Sequence, residues 1–159
     1  MLLAIITGCV GCDQATKAVA HGYLASAPPM SFFGGLFRLQ YVENPGAFLS
    51  LGANLPEHMR AAVMVVGGAI GLLMLALVLV TQEVSRARFA AFSLMVAGGA
   101  GNLFDRIFNH NQVVDFMNIG IGRVRTGVFN VADVALMLGI GMIAISSLVH
   151  RDRGQLRDA

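Results

Sequence analysis

The stretch that decides the fold is AAVMVVGGAIGLLMLALVLV, residues 61–80, which contains no charged and no polar side chain. A helix of this length rises about 30 Å, which is the thickness of the hydrocarbon core of a bilayer. We predict that the segment crosses a membrane as an α-helix, because a lipid-exposed chain must satisfy its backbone hydrogen bonds internally.

Three other segments, residues 2–20, 89–104 and 128–149, are also apolar, although each carries a few polar side chains. The composition of the whole chain agrees with this, since 56% of its residues are hydrophobic, only 13% are charged and the mean hydropathy is +0.70. A soluble domain carries about 25% charged residues, and disordered chains are charge-rich and apolar-poor. The net charge of +2 is too small for a nucleic-acid-binding surface. We predict a single all-α membrane domain over residues 1–159, with four transmembrane helices.

The first of these spans has a second interpretation. The tetrapeptide Ile6–Cys9 resembles the cleavage box of a bacterial lipoprotein, which would make the segment a removable leader. However, no basic residue precedes Cys9, and the apolar core is shorter than the usual ~7–15 residues. We therefore expect a retained span.

Glycines cluster in two of the predicted spans. Because glycine has no side chain, it lets helices approach closely inside a membrane. We expect helix contacts at Gly67, Gly68 and Gly71, and at Gly98, Gly99 and Gly101.

The arginines predict the orientation. Four spans place both termini and loop 81–88 on one side of the membrane, and loops 21–60 and 105–127 on the other. Loop 81–88 and the short C-terminal tail together carry five arginines, and the two much longer loops also carry five. By the positive-inside rule, we expect both termini in the cytoplasm and the long loops outside.

With that orientation, the polar residues of the spans fall at one depth. Each lies in the outer half of its span, and ionisable groups inside a membrane are costly enough to indicate function. We therefore expect the functional site at the outer end of the helix bundle. Its candidate members are Asp13, Lys17, Asn102, Asp105, Arg106, Asn130 and Asp133, together with Asn44 and Asp115 in the outer loops.

Several kinds of catalytic site are poorly supported. The chain has no HExxH motif, its four histidines are scattered, and Cys9 and Cys12 form a single CxxC pair. A zinc site is therefore not indicated, and we expect the two cysteines to pack on an apolar helix. The sequence also lacks the GxSxG motif and a phosphate-binding loop.

Four aspartates remain in the spans and the long outer loops, and their sequence neighbours divide them into two pairs. Asp13 has Lys17 one helical turn later, and Asp105 directly precedes an arginine, so a structural role is favoured for both. Asp115 and Asp133 have no basic residue within four positions. Two carboxyl groups close together in apolar surroundings share a proton, as in aspartic proteases. We therefore predict that Asp115 and Asp133 are the catalytic pair, although a buried, hydrogen-bonded aspartate is the alternative for each.

The outer loop 21–60 contains an alternating segment. Polar and apolar residues alternate in FRLQYV, residues 37–42, which predicts a strand, and Asn44–Gly46 predicts a turn. A strand on the membrane surface can bind an extended substrate peptide along its edge, and an ordinary hairpin is the other interpretation. Residues 56–60 predict a short surface helix that leads into the span at 61–80.

Five motifs resemble, in order, those of bacterial lipoprotein signal peptidases (signal peptidase II). The resemblance covers nearly the whole chain. One departure is that Phe48 directly follows Ala47, where the family has two small residues before the phenylalanine. The motifs are DQATK at 13–17, NPGA at 44–47, GGAGNLFDR at 98–106, VVDF at 113–116 and FNVAD at 129–133.

The resemblance implies an aspartic endopeptidase of the bacterial inner membrane, which cuts prolipoproteins on the amino side of a diacylglyceryl-modified cysteine. It also implies four helices beneath a small sheet and a short helix, and neither metal nor cofactor. Asp115 and Asp133 would be the catalytic pair. We expect a monomer in contact with membrane lipid, with no nucleic-acid partner. Substrate-binding residues would be Asn44, Gly46, Asn102, Arg106 and Asn130, and the structural polar residues would be Asp13, Lys17 and Asp105.

Two other functions stay open. A small proton-coupled transporter would use Asp13, Lys17 and Asp133 as a relay, but the inner halves of the spans carry no ionisable groups and the chain has no internal repeat. A scaffold with glycine-rich helix contacts is the other alternative. Loss of function in Asp115→Ala would separate an enzyme from a scaffold.

Overall fold

The structure, a computed structural model, describes residues 2–46 and 54–155. The turn residues Ala47 and Phe48 therefore lie outside the described residues. Within these residues the chain forms four long helices and four strands. The helices are α1 (Leu2–Leu24), α2 (Glu57–Thr81), α3 (Arg86–Phe108) and α4 (Val131–Gln155).

Three of the helices are long and apolar enough to cross a membrane. They are α1, α2 and the Val131–Leu148 part of α4. Helix α3 is as long as α1, with 23 residues, but it carries arginines in its first turn and Asp105 and Arg106 near its end. A membrane crossing by α3 therefore stays a prediction.

Helix α2 begins before the apolar run. Residues Glu57–Ala61 are helical and continue through a π-helical segment, Ala62–Gly67, into Gly68–Thr81. The predicted short helix leading into the span is therefore present, and it is continuous with the span. The apolar run at 61–80 does not include this start, because Glu57 to Arg60 are mostly polar.

Side chains are distributed in the reverse of a soluble protein. Asp13, Lys17 and Asn130 are at most 4% exposed, whereas Leu73 and Val80 on α2 are 60% and 72% exposed. A bundle that turns its apolar side chains outward and its ionisable ones inward fits a lipid surrounding.

A four-stranded antiparallel sheet, in the order β1-β2-β3-β4, accompanies the helices. The predicted strand at 37–42 is confirmed as part of β2, whereas β3 was not predicted as a strand. Phe116 of β3 packs with Ala20 and Leu24 at the end of α1, so the sheet is fixed to the bundle. The strands are β1 (Met30–Phe32), β2 (Phe37–Asn44), β3 (Val113–Ile121) and β4 (Val124–Arg125).

Glycines bring α3 against its neighbours. A Cβ on Gly98 would clash with the carbonyl oxygen of Ala132 on α4, and one on Gly101 would lie 2.9 Å from Asp13 Oδ2. A Cβ on Gly99 would lie 2.5 Å from Leu72 on α2. The predicted contacts at these three glycines are therefore confirmed.

The glycines of α2 behave differently. Nothing lies within 4 Å of a Cβ built on Gly67 or Gly71, and Gly68 has only an ordinary contact at 3.8 Å, with Leu103. The expectation of close helix contacts is therefore wrong for Gly67 and Gly71, while α2 still approaches α3 through Gly68 and Leu72. Gly67 and Gly71 face open space, and a neighbouring lipid chain fills such space as readily as a helix does.

Candidate active site

The pairing of β2 with β3 brings Asn44 to Asp115. Asn44 is opposite Val113 in the register, so Asp115 is its diagonal neighbour on the same face of the sheet. Asn44 Nδ2 donates to Asp115 Oδ2 at 3.0 Å, and Asn44 Oδ1 accepts from Gly46 N at 2.9 Å. A backbone N–H can only donate, so the Gly46 contact fixes which end of the Asn44 amide faces Asp115.

The start of α4 holds Asp133 by a reciprocal cap. Asp133 N donates to Asn130 Oδ1 at 2.9 Å, and Asn130 N donates to Asp133 Oδ2 at 3.1 Å. This is the geometry of a capping box, in which two residues three apart satisfy each other's backbone N–H. The cap explains why α4 begins at Val131, after the start at residue 128 that the apolar pattern predicts.

Asn130 also joins the two aspartates. Its side chain is fully buried, and its Nδ2 donates to Asp115 Oδ1 at 2.7 Å. The same nitrogen lies 3.0 Å from Asn102 Oδ1 and 3.3 Å from Val114 O. Asn102 Nδ2 in turn donates to Asp133 Oδ1 at 2.8 Å. Three asparagines from separate parts of the chain therefore orient the two carboxyl groups.

Every carboxylate oxygen of Asp115 and Asp133 thus accepts a hydrogen bond from an N–H donor. Any proton that the pair carries must lie on a remaining lone pair of one of these oxygens. Burial raises the pKa of Asp115 from 3.8 to about 7, the hydrogen bonds from Asn44 and Asn130 oppose the shift, and the nearby Asp133 adds to it. Asp115 is therefore partly protonated near neutral pH.

A second polar cluster surrounds Lys17. Its Nζ lies 2.7 Å from Asp13 Oδ2 and 2.9 Å from Asp105 Oδ2, and all three side chains are buried. Asp13 Oδ1 also accepts from Ala132 N at 2.9 Å, so the cluster ties α1 to the start of α4. Gln14 Nε2 donates to Asp105 Oδ1 at 2.7 Å. The predicted pairing of Asp13 with Lys17 is present, and Asp105 shares the same lysine.

Arg106 points away from its neighbour Asp105. Its Nη2 donates to Gly46 O, and its Nη1 donates to Asn111 O at 3.1 Å. The guanidinium therefore holds the turn after β2 against the loop that precedes β3. Arg106 and Lys17 both interact electrostatically with the aspartate pair. The sequence does not indicate these interactions, because neither basic residue lies near Asp115 or Asp133 along the chain.

Two apolar cavities meet at Asp133. One, of about 410 Å³, lies between α2, α3 and α4 and includes Met64, Asn102 and Arg106 in its wall. The other, of about 420 Å³, lies beside the sheet and includes Ile119 and Leu138. An extended apolar molecule can therefore approach Asp133 from either side, whereas Asp115 lines neither cavity.

Sequence reasoning missed two residues that contact the site and one that holds the sheet. The backbone carbonyl of Asn111 accepts from Arg106, and Gln14 donates to Asp105 in the Lys17 cluster. Asn118 Nδ2 donates to Thr126 O, just after β4, at 2.7 Å. Only Gln14 had a usable signal, since it is a polar residue beside Asp13 on an apolar helix. In residues 2–46 and 54–155, no three His, Cys, Asp or Glu side chains are placed to hold a metal ion together.

The chain is similar over nearly its whole length to known proteins. A lipoprotein signal peptidase of Borrelia hermsii is 31% identical over 146 residues, covering 89% of this chain and 85% of the relative. One of Desulforapulum autotrophicum is 32% identical over 140 residues, covering 87% and 86%. A solved structure described as a bacterial membrane enzyme shares the fold, with a TM-score of 0.83 at 24% identity, covering 96% of this chain and 90% of that one. Because the profile of the family described as Signal peptidase (SPase) II matches residues 5–149, this chain belongs to the signal peptidase II family.

Proposed function

We propose that this protein is an aspartic endopeptidase that cuts prolipoproteins on the amino side of a diacylglyceryl-modified cysteine. Family membership makes the chain a peptidase, and the relatives named above are lipoprotein signal peptidases. The observation that carries the aspartic mechanism is the contact set of Asn130. This buried side chain bonds to Asp115 at 2.7 Å and to Asp133 N at 2.9 Å, so it holds the two carboxyl groups in one site.

The chemistry requires one proton shared by two carboxyl groups. The ionised carboxylate takes a proton from a water molecule, whose oxygen attacks the scissile carbonyl carbon. The protonated carboxyl group donates a hydrogen bond to the carbonyl oxygen, on which negative charge develops. As the C–N bond breaks, the leaving amine takes from the carboxyl pair the proton that the water gave up, so the pair returns to one shared proton. The products are a new carboxyl group and the free amino group of the modified cysteine. A pKa of about 7 for Asp115 supports this sharing at neutral pH.

The proposed substrate-binding residues surround this pair. Arg106 uses two of its five N–H donors on Gly46 and Asn111, so it has further donors for a substrate backbone. The amides of Asn44, Asn102 and Asn130 bond to the carboxyl groups, and we assign them to orienting the pair at the wall of the substrate site.

We further propose that α3 crosses the bilayer with the other three helices, that both termini are cytoplasmic, and that the site opens at the outer surface of the inner membrane. Asp133 then lies near the outer end of α4, where the two apolar cavities meet. The lipid tails of the substrate enter these cavities from the bilayer, so partition of the lipid contributes to specificity. A single chain supplies the complete site, and we propose that the protein works as a monomer.

The test is cleavage of a diacylglyceryl-modified precursor by purified protein in detergent, followed as a band shift with the new N-terminus identified by mass spectrometry. Asp115→Asn and Asp133→Asn remain folded and lose at least ~10²-fold in turnover, because asparagine can serve neither as base nor as acid. EDTA leaves the wild-type rate unchanged. Near-wild-type turnover in either variant would refute the aspartic mechanism. A protein that cleaves nothing but conducts protons would favour the transporter alternative.

A further inference from the structure

Lys17 is the only lysine in the sequence, and its amino group is fully used. An ammonium group has three N–H donors. Here they face three acceptors: Asp13 Oδ2 at 2.7 Å, Asp105 Oδ2 at 2.9 Å and Asn102 Oδ1 at 3.2 Å. Two carboxylates already balance the lysine charge, so the contact with Asn102 is not needed to neutralise it.

That third contact determines how the amide of Asn102 is turned. With its oxygen toward Lys17, its nitrogen faces Asp133 Oδ1 at 2.8 Å. The reversed amide would place an NH2 group against the ammonium and an oxygen against the carboxylate, and both contacts are repulsive. Asn130 Nδ2 also donates to Asn102 Oδ1 at 3.0 Å, so this oxygen has two donors. Lys17 is the charged one of the two, and a charged donor makes the stronger hydrogen bond.

We infer that Lys17 is a positioning residue for peptide hydrolysis, because it holds the Asn102 amide so that its N–H orients the Asp133 carboxylate. This inference rests on the function proposed above. Lys17 does not touch the aspartate pair by any hydrogen bond or ion pair in the described part of the chain. Its effect on the reaction therefore passes through Asn102 and through its charge.

The charged groups around Lys17 set the sign of the expected pH effect. Loss of the lysine removes a cation near the carboxyl pair, which disfavours the charged forms of both groups. The acid limb of the pH–rate profile therefore moves to higher pH. The groups concerned are Asp13 on α1, Asp105 and Arg106 on α3, Asp115 on β3 and Asp133 on α4.

The experiment compares Lys17→Met with Asp105→Asn in the precursor-cleavage assay. Both changes break the ion pair between Lys17 and Asp105 and lower the melting temperature. Asp105→Asn also alters the acceptor of the Val114 N–H, although its amide oxygen can still accept from it. Only Lys17→Met removes the ammonium donor to Asn102. We expect Lys17→Met to lose about 10- to 100-fold in kcat per folded molecule with KM unchanged, and its acid limb to rise by about half to one pH unit. Asp105→Asn keeps kcat within about threefold, and its profile does not move upward.

Lys17→Met leaves two buried carboxylates facing each other, which threatens its folding. The double variant Lys17→Met/Asp105→Asn relieves this repulsion, and its comparison with Asp105→Asn alone isolates the same loss. Equal kcat and equal pH profiles in that comparison would overturn the inference. Asp133→Asn is measured in the same series to keep the two proposals distinct. If Asp133→Asn keeps its turnover, the proposed function is refuted. If Asp133→Asn loses its turnover while the lysine variants keep theirs, only the role of Lys17 is refuted.

Discussion

Gly98 offers a direct test of how helix packing controls the active site. In Gly98→Ala, the added methyl group meets backbone atoms of α4, since Ala132 O blocks it and Leu136 N lies 3.0 Å away. Backbone atoms cannot rotate aside as a flexible side chain can, so α3 and α4 must separate by roughly 1 Å to restore an ordinary contact. Overpacking of this kind costs about 1–3 kcal/mol, and alanine returns at most about 1 kcal/mol through its higher helix propensity.

The separation of α3 and α4 also changes the geometry of the active site. Asn102 is one helical turn from Gly98, and Asp133 follows Ala132 directly, so the same movement stretches the 2.8 Å bond from Asn102 Nδ2 to Asp133 Oδ1. A hydrogen bond stretched by 1 Å is effectively broken. We expect Gly98→Ala to be less stable by about 1–2 kcal/mol and to lose on the order of 10²-fold in kcat, as misplacement of a reacting group by 1 Å does.

The matched control is Gly141→Ala on α4, where nothing lies within 4 Å of the added Cβ. This variant should be as stable as the wild type, or more stable by up to about 1 kcal/mol, with unchanged turnover. Melting temperature and turnover per folded molecule are measured for both variants in one detergent. If Gly98→Ala matched Gly141→Ala in both measurements, the reasoning from close helix packing to active-site geometry would be wrong.

Three further predictions follow from the polar residues and the orientation. Asp13→Asn should lower the melting temperature while the folded fraction keeps measurable turnover, because Asp13 bonds to Lys17 and Ala132 N rather than to the catalytic pair; collapsed turnover at an unchanged melting temperature would contradict this. Since the folded-state pKa of Asp115 is raised to about 7, its contribution to stability is complete below about pH 4 and is lost as the pH rises through 7. The melting temperature of Asp115→Asn relative to the wild type should therefore increase between pH 5 and pH 8, and a constant difference would refute the shift. The orientation is tested in spheroplasts, in a variant that lacks the native cysteines. Ser26→Cys should react with an impermeant thiol reagent and Glu83→Cys should not, because both residues are exposed on loops that the arginine distribution places on opposite sides of the membrane. The reverse labelling pattern would mean that the orientation is inverted.

The helices could be predicted where composition alone decides them. The run at 61–80 lies within α2 because twenty apolar residues have no other stable state in a bilayer. The ends were less predictable, because they depend on hydrogen bonds and not on apolarity. The start of α4 is set by the cap between Asn130 and Asp133, and α3 extends four residues beyond the predicted 104, to Phe108.

Local charge patterns predicted the aspartates better than their partners. The absence of nearby basic residues separated Asp115 and Asp133 from the other aspartates, and the structure places these two in one hydrogen-bonded group. The ion pair between Lys17 and Asp105 could not be predicted from the sequence, because the two residues are 88 positions apart and lie on different helices. Strand β3 was also missed, since its residues become a strand through pairing with β2.

The lysine cluster has a consequence for the order in which the chain is made. Helix α1 leaves the ribosome long before α3, so Asp105 is absent when Lys17 first meets the lipid. An isolated charge at the centre of a membrane helix opposes insertion by about 3 kcal/mol. Asp13, one turn away in the same helix and 2.7 Å from Lys17 Nζ, gives the incoming segment no net charge at that moment. The pair with Asp13 thus lowers the cost of inserting α1, and Asp105 adds the second ion pair, which joins α1 to α3 in the finished bundle.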